Sequence, residues 1–564
     1  MKLTQQSVCL LAILASSLIS NHVAGVVIRD DVPDSEYIAL GADPRYEATG
    51  AWFSGASHEC NATVLGPSWI LTAGHCGGSS FGLGEDINNL TVEVDLTTQV
   101  RNPDFNTANA ALGPDTRVAE LATPILDVTP ARLWRFTIDE RGQDAVFVSY
   151  GNFGTGATGD NQPRGLRRGA QNTIDRYGGQ IGATRDSFVF DFDNPNDPSD
   201  NRYGSSTPLP LEGATGNRDS GGGWYVDVGG VTYLIGVTSY RAEFDGSNNS
   251  DYGDIGGASR VSQSLDFIDA SANVALHWNQ ANGDWASNSA WDFVGAAPDA
   301  SRTAVVGSGI ANIASAANAE YTFVDWAGRL ELNAQLTTDH LLLKRTGVLA
   351  VGTDAAGQHT LDGNLRQTEG NLVVTLHGSG NNSGLVVTGL AQLDGNLGIE
   401  YGSGYSGPAN RGDIESHEVL SAAGIIGEFD SIDGVTLDGN DYEYVGENAN
   451  GDDGLFRTVV STASSVTVTT YFALEGDANG DGSVDASDFN IWNSNSFQSG
   501  TDWSTGDFNG DGVTDASDFN LWNNNSFTSV NLPAPPANIV PEPGGALLMI
   551  FGSAGLLLQL RRRR

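Results

Sequence analysis

His75 and Ser220 are the residues whose surroundings point most directly to chemistry. The histidine ends the run Ile70-Leu71-Thr72-Ala73-Gly74-His75 and is followed by Cys76, while the serine stands in Asp219-Ser220-Gly221-Gly222. A serine hydroxyl is a poor nucleophile near neutral pH, and a neighbouring imidazole takes its proton as it attacks. Such a pair performs acyl transfer once a carboxylate orients the imidazole and stabilises its cation. A second chemistry is written in two 12-residue loops rich in oxygen donors. The first places Asp477, Asn479, Asp481, the Ser483 carbonyl, Asp485 and Asp488 at positions 1, 3, 5, 7, 9 and 12, with Gly482 at the turn. The second repeats it with Asp507, Asn509, Asp511, the Val513 carbonyl, Asp515 and Asp518, and Gly512 at the turn. These hard donors predict two Ca2+ ions.

Elements of the right kind must hold these groups. With 564 residues the chain is long enough for several domains. Its 28 Lys and Arg against 69 Asp and Glu leave a net charge of −41, which excludes nucleic-acid partners. The 22 Phe, 15 Tyr and 11 Trp are enough to build packed cores despite that charge, and 72 Gly point to β-structure with many turns. Residues 1–25 carry Lys2 and an apolar run ending near Ala24-Gly25, the pattern of a secretory signal peptide. Removing it leaves Cys60 and Cys76, which in an exported chain predict one disulfide worth about 3 kcal/mol in the chain-entropy model.

Residues 26–275 read as short alternating strands that close on a short helix over 261–268. Residues 276–289 are expected to be a linker. Residues 290–470 form a glycine-rich β-module, a β-solenoid or a β-sandwich, with no clustered catalytic residues. Over 475–530, Gly476–Phe497 and Gly506–Phe527 agree at 17 of 22 positions, and each calcium loop runs into an apolar helix start. A Pro-rich linker over 531–539 leads to a segment over 540–564 with Val540-Pro541-Glu542-Pro543, an apolar stretch and four terminal arginines.

Residues 26–275 resemble the trypsin-like, chymotrypsin-fold serine proteases. Trp69-Ile70-Leu71-Thr72-Ala73-Gly74-His75-Cys76 is close to that family's Trp-Val-Leu-Thr-Ala-Ala-His-Cys, and Asn217-Arg218-Asp219-Ser220-Gly221-Gly222 to its Gly-Asp-Ser-Gly-Gly-Pro. The resemblance implies a double β-barrel, a disulfide from Cys60 to Cys76, and an oxyanion hole of the Ser220 and Arg218 N–H groups. It places the carboxylate at Asp115, in Asp115-Thr116-Arg117-Val118-Ala119-Glu120-Leu121, with Asp104 as the alternative. The chain order His, Asp, Ser is the family's own. Two departures stand out: Arg218 replaces a glycine, which predicts backbone strain in the oxyanion loop, and Arg117 replaces a small residue. The specificity pocket is expected to be lined by Ala214, Ser239, Tyr240 and Arg241; alanine at 214 argues against strict Arg/Lys cleavage. Asp219 is expected to pair with an amino terminus at Val26 or near it, exposed by signal-peptide removal. No cofactor is implied for the catalytic step.

The duplicated loops, with aspartate at position 12, resemble type I dockerin modules and imply a cohesin-like partner. The C-terminal segment resembles the PEP-CTERM sorting signals of exported bacterial proteins and implies cleavage by an exosortase-type enzyme, or else a tail anchor. Together these features predict an exported, surface-tethered serine endopeptidase acting on protein or peptide substrates. The alternative is a surface adhesin or scaffold that reuses a protease fold with feeble catalysis.

Overall fold

The computed structural model describes residues 26–243, 246–247, 249–293, 295–379, 384–437 and 442–533. The segments read as signal peptide and sorting signal, and most of the Pro-rich linker, lie outside them. Among the described residues no helix is long and apolar enough to cross a membrane. The chain divides into two compact units, Met1–Val274 and Ala275–Arg564.

In the first unit, six strands close into a barrel in the order Thr49–Ser54, Ser57–Gly66, Trp69–Thr72, Arg117–Leu121, Val92–Arg101 and Ser80–Leu83. Its interior is apolar, built on Trp52, Val64, Ile70, Leu71, Phe81 and Val118, each fully buried. The second half is a seven-stranded antiparallel sheet centred on Gly223–Val228 and Val231–Ala242. There Phe147, Phe188, Phe190 and Trp224 pack ring on ring. A 3-10 turn Val261–Gln263 and a helix Leu265–Ser271 close the unit, where the sequence predicts a helix. The Cys60–Cys76 disulfide forms, with Cα atoms 6.2 Å apart.

The second unit begins with a stacked parallel sheet. Leu330 pairs with Leu349, Leu349 with Leu372, Leu372 with Leu397 and Leu397 with Ile432, all fully buried. A second ladder runs Leu341, Leu365, Ala391, Ile425. Of the two architectures expected for 290–470 this is the solenoid, since successive coils stack parallel and in register. The expected linker over 276–289 is corrected: Leu276–His277 and Asn282–Asp284 pair in parallel with Ala304–Ile313 as the first coil. Trp278, Trp285 and Trp291 pack edge to face and are nearly fully buried there, which a solvated linker would not allow. At the other end, Ile414–Gly427 pairs antiparallel with Ser465–Phe472, which pairs with Asp453–Ser461. This hairpin turns the stack away from open-ended parallel pairing.

The duplicated segment forms two helices, Ala486–Asn495 and Ala516–Asn525, capped by Asp485 and Asp515, whose side chains each accept an N–H at 2.7 Å. The copies lock reciprocally: Trp492 Nε1 donates to the Asp515 carbonyl and Trp522 Nε1 to the Asp485 carbonyl.

Candidate active site

The loop after strand Trp69–Thr72 carries His75, and the segment leading into Arg117–Leu121 carries Asp115. These two strands pair directly, Thr72 opposite Arg117, so the barrel ladder itself brings the imidazole to the carboxylate. Asp115 is fully buried and doubly engaged with the histidine. Oδ1 accepts the His75 backbone N–H at 2.9 Å, and Oδ2 lies 2.7 Å from Nδ1. On the far side of the ring, Nε2 lies 2.8 Å from Ser220 Oγ. Asp104, the alternative carboxylate, is exposed on the preceding loop, where its N–H donates to Asn102 Oδ1. Asp115 occupies the orienting position instead.

Ser220 sits in a turn that only glycine can complete. Gly221 has φ +84°, and a Cβ there would come within 2.0 Å of the Asn61 carbonyl. Arg218, at the position where strain is expected, adopts φ +69°. For a residue with a side chain the left-handed region costs about 1–2 kcal/mol. Asn217, just before Arg218, is held by both backbone groups: Asn152 donates to the Asn217 carbonyl at 2.7 Å, and the Asn217 N–H donates to Asp160 Oδ2 at 2.7 Å. Neither the Arg218 nor the Ser220 N–H donates to a protein acceptor among the described residues. Both are therefore available to an external oxygen.

Several groups support this arrangement through contacts that the sequence did not indicate. Ser239, expected in the specificity pocket, instead donates its hydroxyl to Asp115 Oδ2 at 2.6 Å. The Asp115 N–H is held by Ser259 Oγ at 3.0 Å. Arg117, in place of a small residue, reaches from Nη2 to the Gly74 carbonyl at 3.0 Å and so braces the histidine loop. Asn61 Nδ2 bonds the Arg218 carbonyl at 2.9 Å and the Ser220 carbonyl at 3.3 Å. The sequence signal for Ser239 was its place beside Tyr240 and Arg241. For Asn61 there was only its adjacency to Cys60.

The other residues expected to line the pocket each have partners of their own. Ala214 is buried against Val27, Phe192 and Tyr252. The Tyr240 hydroxyl meets Ser187 Oγ at 2.9 Å, and its ring lies over Gly257. Arg241 does not end free: Nη1 bonds Asp160 Oδ2 at 2.8 Å and Ser250 Oγ at 3.0 Å. Its charge is therefore neutralised within the protein. Asp219 is fully buried. Gly151 and Gly216 donate backbone N–H groups to it at 2.8 and 2.6 Å and Ser149 donates its hydroxyl, while burial pushes the carboxyl up to about 7.

The calcium loops lie in the second unit, and the test of fit is their donor set. Asp477 is buried and accepts the Gly480 and Gly482 N–H groups at 2.8 and 2.9 Å; burial pushes it up to about 7, with Asp488 and Asp481 adding to the rise. Crowded buried carboxylates on a loop with left-handed glycines at position 6 (φ +83° and +82°) suit a hard divalent cation. Their oxygens rest on loop N–H groups and do not converge as closely as the Cys60, His75 and Cys76 atoms, which form a disulfide and a histidine site rather than a metal centre. The two copies differ in cover. A Cβ on Gly480 would strike the Phe456 ring at 2.3 Å and one on Gly482 would meet Leu532 at 2.8 Å, whereas among the described residues nothing lies near a Cβ on Gly510 or Gly512.

Two segments of the chain match known families. Residues 42–268 match the Trypsin family profile, and residues 475–525 match the Dockerin type I domain profile. A solved structure of neuropsin, described as a serine protease expressed in the limbic system of mouse brain, aligns at 19% identity. It covers 41% of this chain and 97% of its own, with a TM-score of 0.32. No curated protein matches the chain.

Proposed function

We propose, from a trypsin domain over residues 42–268 and a dockerin type I domain over 475–525, that the protein is an exported serine endopeptidase displayed through its C-terminal modules. The observation that carries this reading is the unbroken line Asp115–His75–Ser220, with spacings of 2.7 and 2.8 Å. Ser220 Oγ attacks the scissile carbonyl carbon while its proton passes to His75 Nε2. The carbonyl oxygen takes the negative charge and is held by the Arg218 and Ser220 N–H groups. Asp115 stabilises the imidazolium. Collapse expels the amine, which takes the proton from His75 and leaves an acyl-enzyme. Water then repeats the sequence, giving its proton to His75 and releasing the acid, and Ser220 recovers its own. A fluorophosphonate probe should label the native wild-type chain and neither its heat-denatured form nor Ser220→Ala. If the native chain is not labelled, the hydrolase reading is wrong and the scaffold reading stands.

For specificity, the buried Ala214 and the Arg241–Asp160 pair support cleavage after small uncharged side chains rather than after Arg or Lys. A peptide-library cleavage profile dominated by basic residues would refute this. For activation, the mature chain starts at Val26 and its amino group pairs with Asp219. In support, Val26 is fully buried opposite Phe153, and Val27 pairs with Ala214. The neighbouring Gly151 and Gly216 already donate to Asp219. N-terminal sequencing that finds a start far downstream would overturn it.

Dockerin type I modules bind calcium and occur in extracellular or cell-surface proteins. Here one Ca2+ belongs to Asp477, Asn479, Asp481, Ser483, Asp485 and Asp488, and a second to Asp507, Asn509, Asp511, Val513, Asp515 and Asp518. The bound ions would neutralise the loop carboxylates and hold the helix pair for a cohesin-like partner. The sorting motif at Val540–Pro543 would be cut by an exosortase-type enzyme, and mass spectrometry of the mature C-terminus decides between this and a tail anchor.

A further inference from the structure

We infer that Glu59 and Asn61 are positioning residues that hold the oxyanion hole open by clamping Arg218; this rests on the hydrolase reading above. The arginine takes the left-handed conformation, φ +69°, in which its side chain is a liability rather than a help. That side chain is tied down. Arg218 Nη1 donates to the His58 carbonyl at 2.9 Å and pairs with the Glu59 carboxylate. The pairing depends on a bulge. Trp52 faces Cys60 and Phe53 faces His58, so Glu59 is the extra residue of its strand and leaves the ladder. A bulge re-aims a side chain, and here it turns the carboxylate towards Arg218.

Asn61, on the same strand, completes the clamp from the backbone side. Its Nδ2 holds the Arg218 and Ser220 carbonyls, and its Oδ1 accepts the Tyr150 N–H at 3.2 Å. Its own N–H donates to the Ser220 carbonyl at 2.7 Å. With both carbonyls drawn towards Asn61, the turn between them is pinned and the Arg218 and Ser220 N–H groups stay directed away from protein acceptors. A glycine at 218 would reach this backbone unaided; an arginine needs the clamp. Glu59 and Asn61 touch no reacting atom and act only through the turn.

A double-mutant cycle in the full-length protein tests this. Its readouts are the acylation burst with p-nitrophenyl acetate, the rate of fluorophosphonate labelling, and the melting temperature. Glu59→Ala and Glu59→Gln should each slow acylation about tenfold or more, and the loss of one oxyanion donor sets a ceiling of about 10²–10³-fold. KM and melting temperature should hardly move. In the Arg218→Gly background the same Glu59 changes should cost less than twofold relative to that parent. Raising ionic strength should slow the wild type, by screening the Arg218–Glu59 pair, but not Arg218→Gly. Equal effects of Glu59→Ala in both backgrounds, or none in either, would overturn the clamp while leaving the hydrolase reading intact. Asn61→Ala should slow acylation in the wild type and clearly less in Arg218→Gly, with Asn61→Asp failing to restore it because Nδ2 is the donor; full activity in Asn61→Ala would likewise overturn the clamp. A wild type that neither labels nor gives a burst removes the hydrolase reading, and this inference with it.

Discussion

At the scale of single residues, the site is a set of donors and acceptors with little slack. Asp115 uses both oxygens on His75 and accepts a third hydrogen bond from Ser239, all in a buried setting. Asp115→Asn turns an acceptor into a donor and selects the wrong imidazole tautomer, so kcat should fall about 10⁴-fold at neutral pH with little change in KM. Ser239→Ala removes one charge-assisted hydrogen bond, worth about 1.5–3 kcal/mol, and should lower kcat by about tenfold or more. Steady-state kinetics on any cleaved peptide reads both, and a KM-dominated loss would contradict the role given to either residue. His75, Ser220 and their flanking motifs were legible because the proposed acyl-transfer chemistry needs those residue types in sequence-local surroundings. Glu59 and Asn61 were not, because their role depends on a bulge and on a turn more than 150 residues away in the chain.

At the scale of elements, two features carry testable energetics. The leucine ladder through Leu330, Leu349, Leu372 and Leu397 is dry and continuous, so Leu372→Ala should destabilise the β-module by about 2–5 kcal/mol in urea unfolding. An effect under about 1 kcal/mol would mean that the coils do not stack as described. In the protease unit, Asp175, Asp191, Asp193 and Glu212 crowd the edge of the seven-stranded sheet. Burial, aided by the charge of Asp191, pushes Asp175 upward; burial also pushes Glu212 up to about 8 and Asp193 to about 6. A carboxyl raised in the folded state binds its proton more tightly there than when unfolded. The stability it contributes is complete below the ordinary carboxylate range and is lost as pH climbs through the raised value. The melting temperature of this unit should therefore fall between about pH 4 and pH 8, and Asp175→Asn should flatten the fall and exceed the wild type at the upper end. A wild-type melting temperature that rises across this window would refute the assignment.

At the scale of the whole molecule, the calcium loops belong to the unit built on the solenoid, not to the one that carries His75 and Ser220. Chelation with EGTA should therefore lower the melting transition of the β-module and helix pair and leave fluorophosphonate labelling unchanged. The two loops should also differ. Tyr471 donates to Asp477 Oδ2 at 2.8 Å, Trp503 Nε1 donates to the Asp477 carbonyl at 2.7 Å, and Phe456 lies over Gly480. Among the described residues no such cover lies over Gly510 and Gly512. Terbium loaded in place of calcium should leave in two phases: Asp511→Ala should abolish the fast one and Asp481→Ala the slow one. A single phase, or the reverse assignment, would show that the covering aromatics do not protect the first loop.

Read alone, the chain determined what depends on residue type and short spacing. This includes the β-rich protease and calcium-loop classes and the disulfide partners, together with the His, Asp and Ser candidates, because each rests on a motif or pairing local to the chain. Tertiary structure decided what depends on register across distant segments. The apolar runs of 290–470 became a solenoid and not a sandwich because their irregular coil lengths hide a repeat that only parallel pairing reveals. Trp278, Trp285 and Trp291 turned a supposed linker into a first coil by finding a common core. Arg218 kept a glycine-like conformation because a bulge elsewhere in the chain delivered a carboxylate to its guanidinium. Contacts of that kind are set by where the backbone ladders align, which no local pattern encodes.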